Sequence, residues 1–147
     1  MVLTIAALLT ALVPPLYSSA VPGAKLKTTT RDFAIALREA RSSAIVGSSQ
    51  IDLTLLADPP SYAVGSDAAV RLPQGVVITA YDYLASDHAS LRDARLRTDD
   101  EILIRFFPDG SSNGASVRLA IASTAYRVDV SWMMGDIRVS RVGDHET

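Results

Sequence analysis

The chain predicts an α+β fold, one N-terminal helix packed on an antiparallel β-sheet or a two-sheet sandwich. Three observations carry this. Apolar residues recur at helical spacing through the first third of the sequence. From Ile51 onward the spacing changes to alternation, broken by Pro, Gly, Asn and Asp. And the helical pattern precedes all the strand patterns instead of interleaving with them, which separates α+β from α/β.

The helical segment has two parts. From Met1 to Ala24 there is no Asp, Glu, Lys, Arg or His, and Met1–Val13 is interrupted only by Thr4 and Thr10. A helix apolar on every side needs lipid or partner helices around it, so Leu3, Ile5, Leu8, Leu9, Leu12 and Val13 are assigned to a membrane and assembly helix. Met1–Tyr17 only reaches the lower limit of about 17 residues for a bilayer span. A cleaved secretory signal ending near Ser18-Ser19-Ala20 fits the length but lacks a basic start. A chain that begins inside a longer apolar helix fits best. Pro14, Pro15 and Pro22 are expected to kink or break the helix near Val13 and let it resume after Gly23. Beyond that break Leu26, Thr30, Phe33, Leu37, Ala40 and Ala44 form one stripe, with Arg31, Asp32, Arg38, Glu39 and Arg41 on the other faces. Leu26, Phe33, Leu37, Ala40 and Ala44 are therefore assigned to helix-to-sheet packing. The expected organisation is an apolar segment 1–23, then a domain 24–147 with its helix over 24–45 and its β region over 50–142.

Strands are expected at Ile51–Leu55, Tyr62–Val64, Val70–Leu72 and Gly75–Tyr81, with a turn at Asp58-Pro59-Pro60. The charged stretch 84–101 reads as a solvated loop, with a short helix possible over 90–97. In the last third Ile102–Phe107 is a strand. Pro108, Asp109 and Gly110 open a hairpin loop running to Gly114, followed by a strand with Val117, Leu119 and Ile121 on one face. Tyr126, Val128, Val130 and Trp132 share the inner face of the next, and Ile137 and Val139 point inward from the last. The expectation is an antiparallel meander with one wet face and Trp132 in its core.

Composition excludes several classes. With 48% hydrophobic and 20% charged residues the chain builds a core, and a net charge of −2 is no nucleic-acid footprint. Cysteine is absent, which removes disulfides and thiolate metal sites. Asp87, His88 and Asp93 lack a further ligand at metal spacing. The run Asp109-Gly110-Ser111-Ser112-Asn113 lacks the alternating acids and closing Glu of a calcium loop. No nucleophile elbow, zinc-hydrolase helix or phosphate-loop lysine is present. Arg105, Arg118, Arg127, Arg138 and Arg141 offer a basic strip of the kind that binds DNA, but Asp129 and Asp136 lie among them and cross-strand salt links account for them more simply. Neither catalytic residues nor a cofactor is expected.

Two blocks of residues carry a family resemblance. The first is Leu9–Ile45, with Ala11-Leu12-Val13-Pro14-Pro15, Val21-Pro22-Gly23 and Ala36-Leu37-Arg38-Glu39-Ala40-Arg41. The second is Ile104–Val139, with Phe106-Phe107-Pro108-Asp109-Gly110-Ser111-Ser112-Asn113-Gly114, Tyr126-Arg127-Val128 and Gly135-Asp136-Ile137. Together they cover about half the chain. In them the sequence resembles minor pseudopilins of the type II secretion system, the general secretion pathway protein H group, and the related type IV minor pilins. The family's glycine cleavage site and early glutamate have no counterpart before Gly23 and Glu39, and Met134-Gly135-Asp136 stands where thr-gly-arg is usual. The resemblance implies a pilin-like fold and a non-catalytic subunit at the tip of a periplasmic pseudopilus, single-pass in the bacterial inner membrane, aiding assembly initiation and protein export. Its implied partners are other minor and major pseudopilins, inner-membrane lipid and the inner-membrane secretion platform. The alternatives are a type IV minor pilin, DNA-binding in some cases, and a soluble periplasmic β-domain released by signal cleavage and acting as a binding module.

Overall fold

The computed structural model describes residues 14–81 and 101–143. Helix α1 runs Pro14–Val46, 33 residues, about 50 Å at 1.5 Å per residue. Eight strands follow: β1 Ile51–Leu56, β2 Ser61–Val64, β3 Val70–Arg71, β4 Val77–Tyr81, β5 Glu101–Phe106, β6 Ala115–Ile121, β7 Thr124–Val130 and β8 Ile137–Val142. They form two four-stranded antiparallel sheets, ordered β3-β2-β1-β5 and β4-β6-β7-β8. The helix lies across both, against β1 and β5 of the first and β6, β7 and β8 of the second. One buried cluster joins all three layers, with Phe33, Leu37, Leu53, Ile104, Phe106, Val117, Leu119 and Val128 at its centre.

The helix does not restart after Gly23. It is continuous through Pro22 and Gly23, which corrects the expected break and moves the start of the described helix back to Pro14. Pro14 and Pro15 occupy the first turn, where a proline's missing N–H would have no intrahelical acceptor anyway. Pro22 removes one interior bond, a cost of about 3 kcal/mol. The following turns supply the compensation, because Gly23 already lies on the second sheet: a Cβ there would sit 3.5 Å from Thr124 Oγ1. From there Leu26, Phe33, Leu37, Ala40 and Ala44 are all fully buried, and each large side chain so buried contributes about 1.5–3 kcal/mol. Thr30 sits in the same stripe, and its hydroxyl is satisfied by donating to the Leu26 carbonyl at 2.8 Å. The helix ends in a Schellman turn. Ser49 N–H donates to Ala44 O at 3.1 Å, Ser48 N–H to Ile45 O at 3.3 Å, and Ser48 takes a left-handed φ of 47°.

The C-terminal meander is also corrected. β5 and β6 belong to different sheets, so the segment between them is a crossover and not a hairpin loop, touching as strands only at the Phe106–Ser112 bridge. Asn113 explains the change. Its side-chain amide accepts from Arg105 N–H and donates to Leu103 O, both at 2.9 Å, while its own N–H donates to Arg105 O at 3.1 Å. One residue thereby satisfies the edge of β5 and frees the chain to enter the second sheet. Only β6, β7 and β8 form the meander, with a two-residue turn at Ala122-Ser123. The charged stretch 82–100, including the helix expected over 90–97 and the metal reading at Asp87, His88 and Asp93, lies outside the described residues, as do the apolar residues 1–13.

Candidate assembly surface

The two family-like blocks meet at the C-terminal end of α1. Arg41 Nε donates to the Gly110 carbonyl at 2.9 Å. Gly110 has a φ of 83° and Gly135 a φ of 62°, both left-handed, and a Cβ on Gly135 would overlap the Gly110 carbonyl oxygen and crowd Arg41 Nε at 2.9 Å. Helix, crossover and β7–β8 turn are thus locked through a guanidinium and two glycines. Asp109 shapes the crossover by accepting from Ser111 N–H at 2.9 Å and from its hydroxyl at 2.6 Å. These bonds hold the Asp109 carboxyl below its ordinary range. Ser112 ties the crossover to the turn: its N–H donates to Trp132 O at 3.0 Å and its hydroxyl to Ser131 O at 2.9 Å. Pro108 and Asp109 are exposed, whereas Gly110 is buried beneath Arg41.

Beside this lock the surface is apolar. Trp132, Met133 and Met134 are 54%, 64% and 67% exposed, and Ile45 and Val46, at the end of α1, 43% and 83%. Trp132 therefore leaves the core in which the alternation placed it. β7 ends at Val130, and the turn that follows breaks the alternation before Trp132 is reached. Val139, also expected inward, is 39% exposed, while Ile137 is buried at 7%. β8 is the edge of its sheet, and Arg38 donates to the Ile137 carbonyl at its start, at 3.3 Å.

The arginines do not make one strip. Arg105 stands on the first sheet and grips Asp52 across the β1–β5 register with two bonds of 2.8 and 3.1 Å. The Arg105 guanidinium holds the Asp52 carboxyl below its ordinary range. Arg118, Arg127, Arg138 and Arg141 are on the second sheet. Arg138 pairs with Asp136 at 3.0 Å, and Asp129 accepts instead from Ser116 Oγ. On the other flank of the helix, Tyr62 packs edge-to-face on Phe33 with ring centres 5.3 Å apart. Burial, then the nearby Asp32 and Glu39 carboxylates, push its hydroxyl pKa up. Among the described residues no three His, Cys, Asp or Glu side chains gather as a metal site, and no helix is long and apolar enough to cross a membrane.

A long helix laid across two antiparallel sheets, with the glycine turns locked to the helix end, defines a pilin-like protein. The family model for Type II transport protein GspH matches residues 29–134, and the chain belongs to that family. It is 44% identical over 39 residues to the Type II secretion system protein H of Xanthomonas campestris pv. campestris, a match covering 26% of this chain. The matched stretch spans 23% of that curated relative's length. Its backbone is similar to a structure of the minor pseudopilin EpsH from the type 2 secretion system of Vibrio cholerae, with TM-score 0.61, 12% identity, and 84% and 99% of the two chains covered. It is also similar to the type IV minor pilin FimU of Pseudomonas aeruginosa, with TM-score 0.55, 12% identity, and 78% and 87% covered. These two likenesses share the fold alone.

Proposed function

We propose that this chain is a non-catalytic minor pseudopilin, anchored in the bacterial inner membrane by its N-terminal apolar residues, that joins the tip of the pseudopilus and helps start its assembly for protein export. Its partners are other minor and major pseudopilins, inner-membrane lipid and the inner-membrane secretion platform. The observation that carries the reading is α1 itself. Its stripe from Leu26 to Ala44 is sealed by both sheets, and its other end leads back into residues without a single charge before Lys25. Such a helix ties a folded head to an apolar environment, and packing against neighbouring apolar helices offsets its withdrawal from lipid during assembly. The 44% match to a type II protein H supports a secretion system over a type IV pilus.

Deleting the gene in its host tests this. Exported proteins should accumulate in the periplasm with their synthesis unchanged, and the wild-type gene should restore export. Unimpaired export in the deletion strain would contradict the proposal.

A further inference from the structure

Between Lys27 and Glu39 the outward face of α1 carries opposite charge on its two flanks; Lys25 precedes this stretch, one heptad before Asp32 on the line of Asp32 and Glu39. At about 100° per residue, Ile35 sits on the crest, opposite the buried stripe and 50% exposed. Thr28 and Ser42, seven residues away on either side, continue that line. On one flank Asp32 and Glu39 border a groove of roughly 280 Å³ against β2 and β3, where Asp67 adds a third carboxylate and no cation lines the wall. On the other flank Lys27, Arg31 and Arg38 border a groove of roughly 500 Å³ against β7 and β8, lined by no carboxylate. Ile35 belongs to both grooves. Among the described residues Lys27, Arg31, Asp32 and Glu39 have no ion-pair partner within the chain.

A face neutral in sum but divided in this way matches a surface with the same pattern reversed left to right. A second copy presents that surface when two crests face each other with their helices parallel. A two-fold axis running along the crests then sets the acidic flank of each chain on the basic flank of the other. The heights agree: Asp32 and Arg31 are one residue apart along the helix, about 1.5 Å, as are Glu39 and Arg38. Antiparallel facing would instead set acid on acid and base on base. We infer that the crest of α1 is a contact between two copies of this chain, packed parallel about Ile35. This inference rests on the charge pattern and not on the role in secretion. Because exposed ion pairs are individually weak, the contact is salt-sensitive.

The chain has no cysteine, so a single Ser42→Cys in the full chain, in detergent micelles at low ionic strength, gives a clean cross-linking probe. It should form a covalent dimer under mild oxidation, less so at high salt. A mixture of Thr28→Cys and Ser42→Cys chains, the antiparallel pairing, should yield little heterodimer. Adding Asp32→Lys with Glu39→Lys, or Arg31→Glu with Arg38→Glu, to the Ser42→Cys chain should each cut dimer about tenfold, as four exposed pairs turn from attraction to repulsion. Mixing the two reversed chains should restore it, with circular dichroism unchanged throughout. Absence of dimer in the Ser42→Cys chain, dimer indifferent to charge reversal, no recovery on mixing, or a dominant Thr28–Ser42 heterodimer would each overturn the inference.

Discussion

Gly135 illustrates how little freedom single residues have at the helix end. Its φ of 62° disfavours any side chain, and a methyl group would overlap the Gly110 carbonyl that Arg41 also grips. Gly135→Ala should therefore destabilise the protein by about 2–4 kcal/mol, measured by urea denaturation; a change within about 0.5 kcal/mol would mean the lock is not rigid. The Asp52–Arg105 pair makes a prediction in pH. The folded carboxyl lies below its ordinary value of 3.8, so its stabilisation is complete above that value and lost as pH falls through the lowered folded one. Arg105→Ala should accordingly lower Tm at neutral pH, and the difference from wild type should shrink in acid; a pH-independent difference would contradict the ion pair. Trp132 is the sole tryptophan and more than half exposed. Its fluorescence should be readily quenched by iodide, and Trp132→Ala should cost less than about 1 kcal/mol, against about 3–5 for a buried tryptophan.

At the scale of elements, the helix stripe dominates. Leu37→Ala opens a cavity where helix and sheets meet and should cost about 2–5 kcal/mol, read from denaturation midpoints. Ser48→Gly should instead stabilise by about 0.5–1 kcal/mol, because the Schellman turn puts a left-handed φ on a residue with a side chain. These elements also show what was legible in the sequence. The stripe from Leu26 to Ala44 was readable because one period governs it and one face is buried. Most strands were readable to within a residue or two for the same reason. The continuity through Pro22 was not, since it depends on Gly23 meeting a hairpin a hundred residues later. Nor was the crossover after β5, because Asn113 imitates a strand neighbour with its side chain and leaves no periodic trace. The exposure of Trp132 was hidden likewise, since alternation does not announce where a strand stops. The lock of Arg41, Gly110 and Gly135 joined residues that the sequence shows only as separate turns and a helix face.

For the whole molecule, a helix held by two sheets acts as a shaft that the head cannot shed without exposing its own core. Membership of the GspH family and the pilin-like fold agree with that construction. The head presents an apolar end at Trp132, Met133 and Met134 and a charge-divided crest about Ile35, surfaces of the kind an assembling subunit offers to neighbours. The central claim is that residues before Lys25 stay attached as a permanent anchor. Fractionating the cell envelope and determining the N-terminus of the mature polypeptide by mass spectrometry tests it most directly. The account predicts an inner-membrane protein that retains those residues and copurifies with pseudopilins; a polypeptide beginning at Val21 and soluble in the periplasm would contradict it.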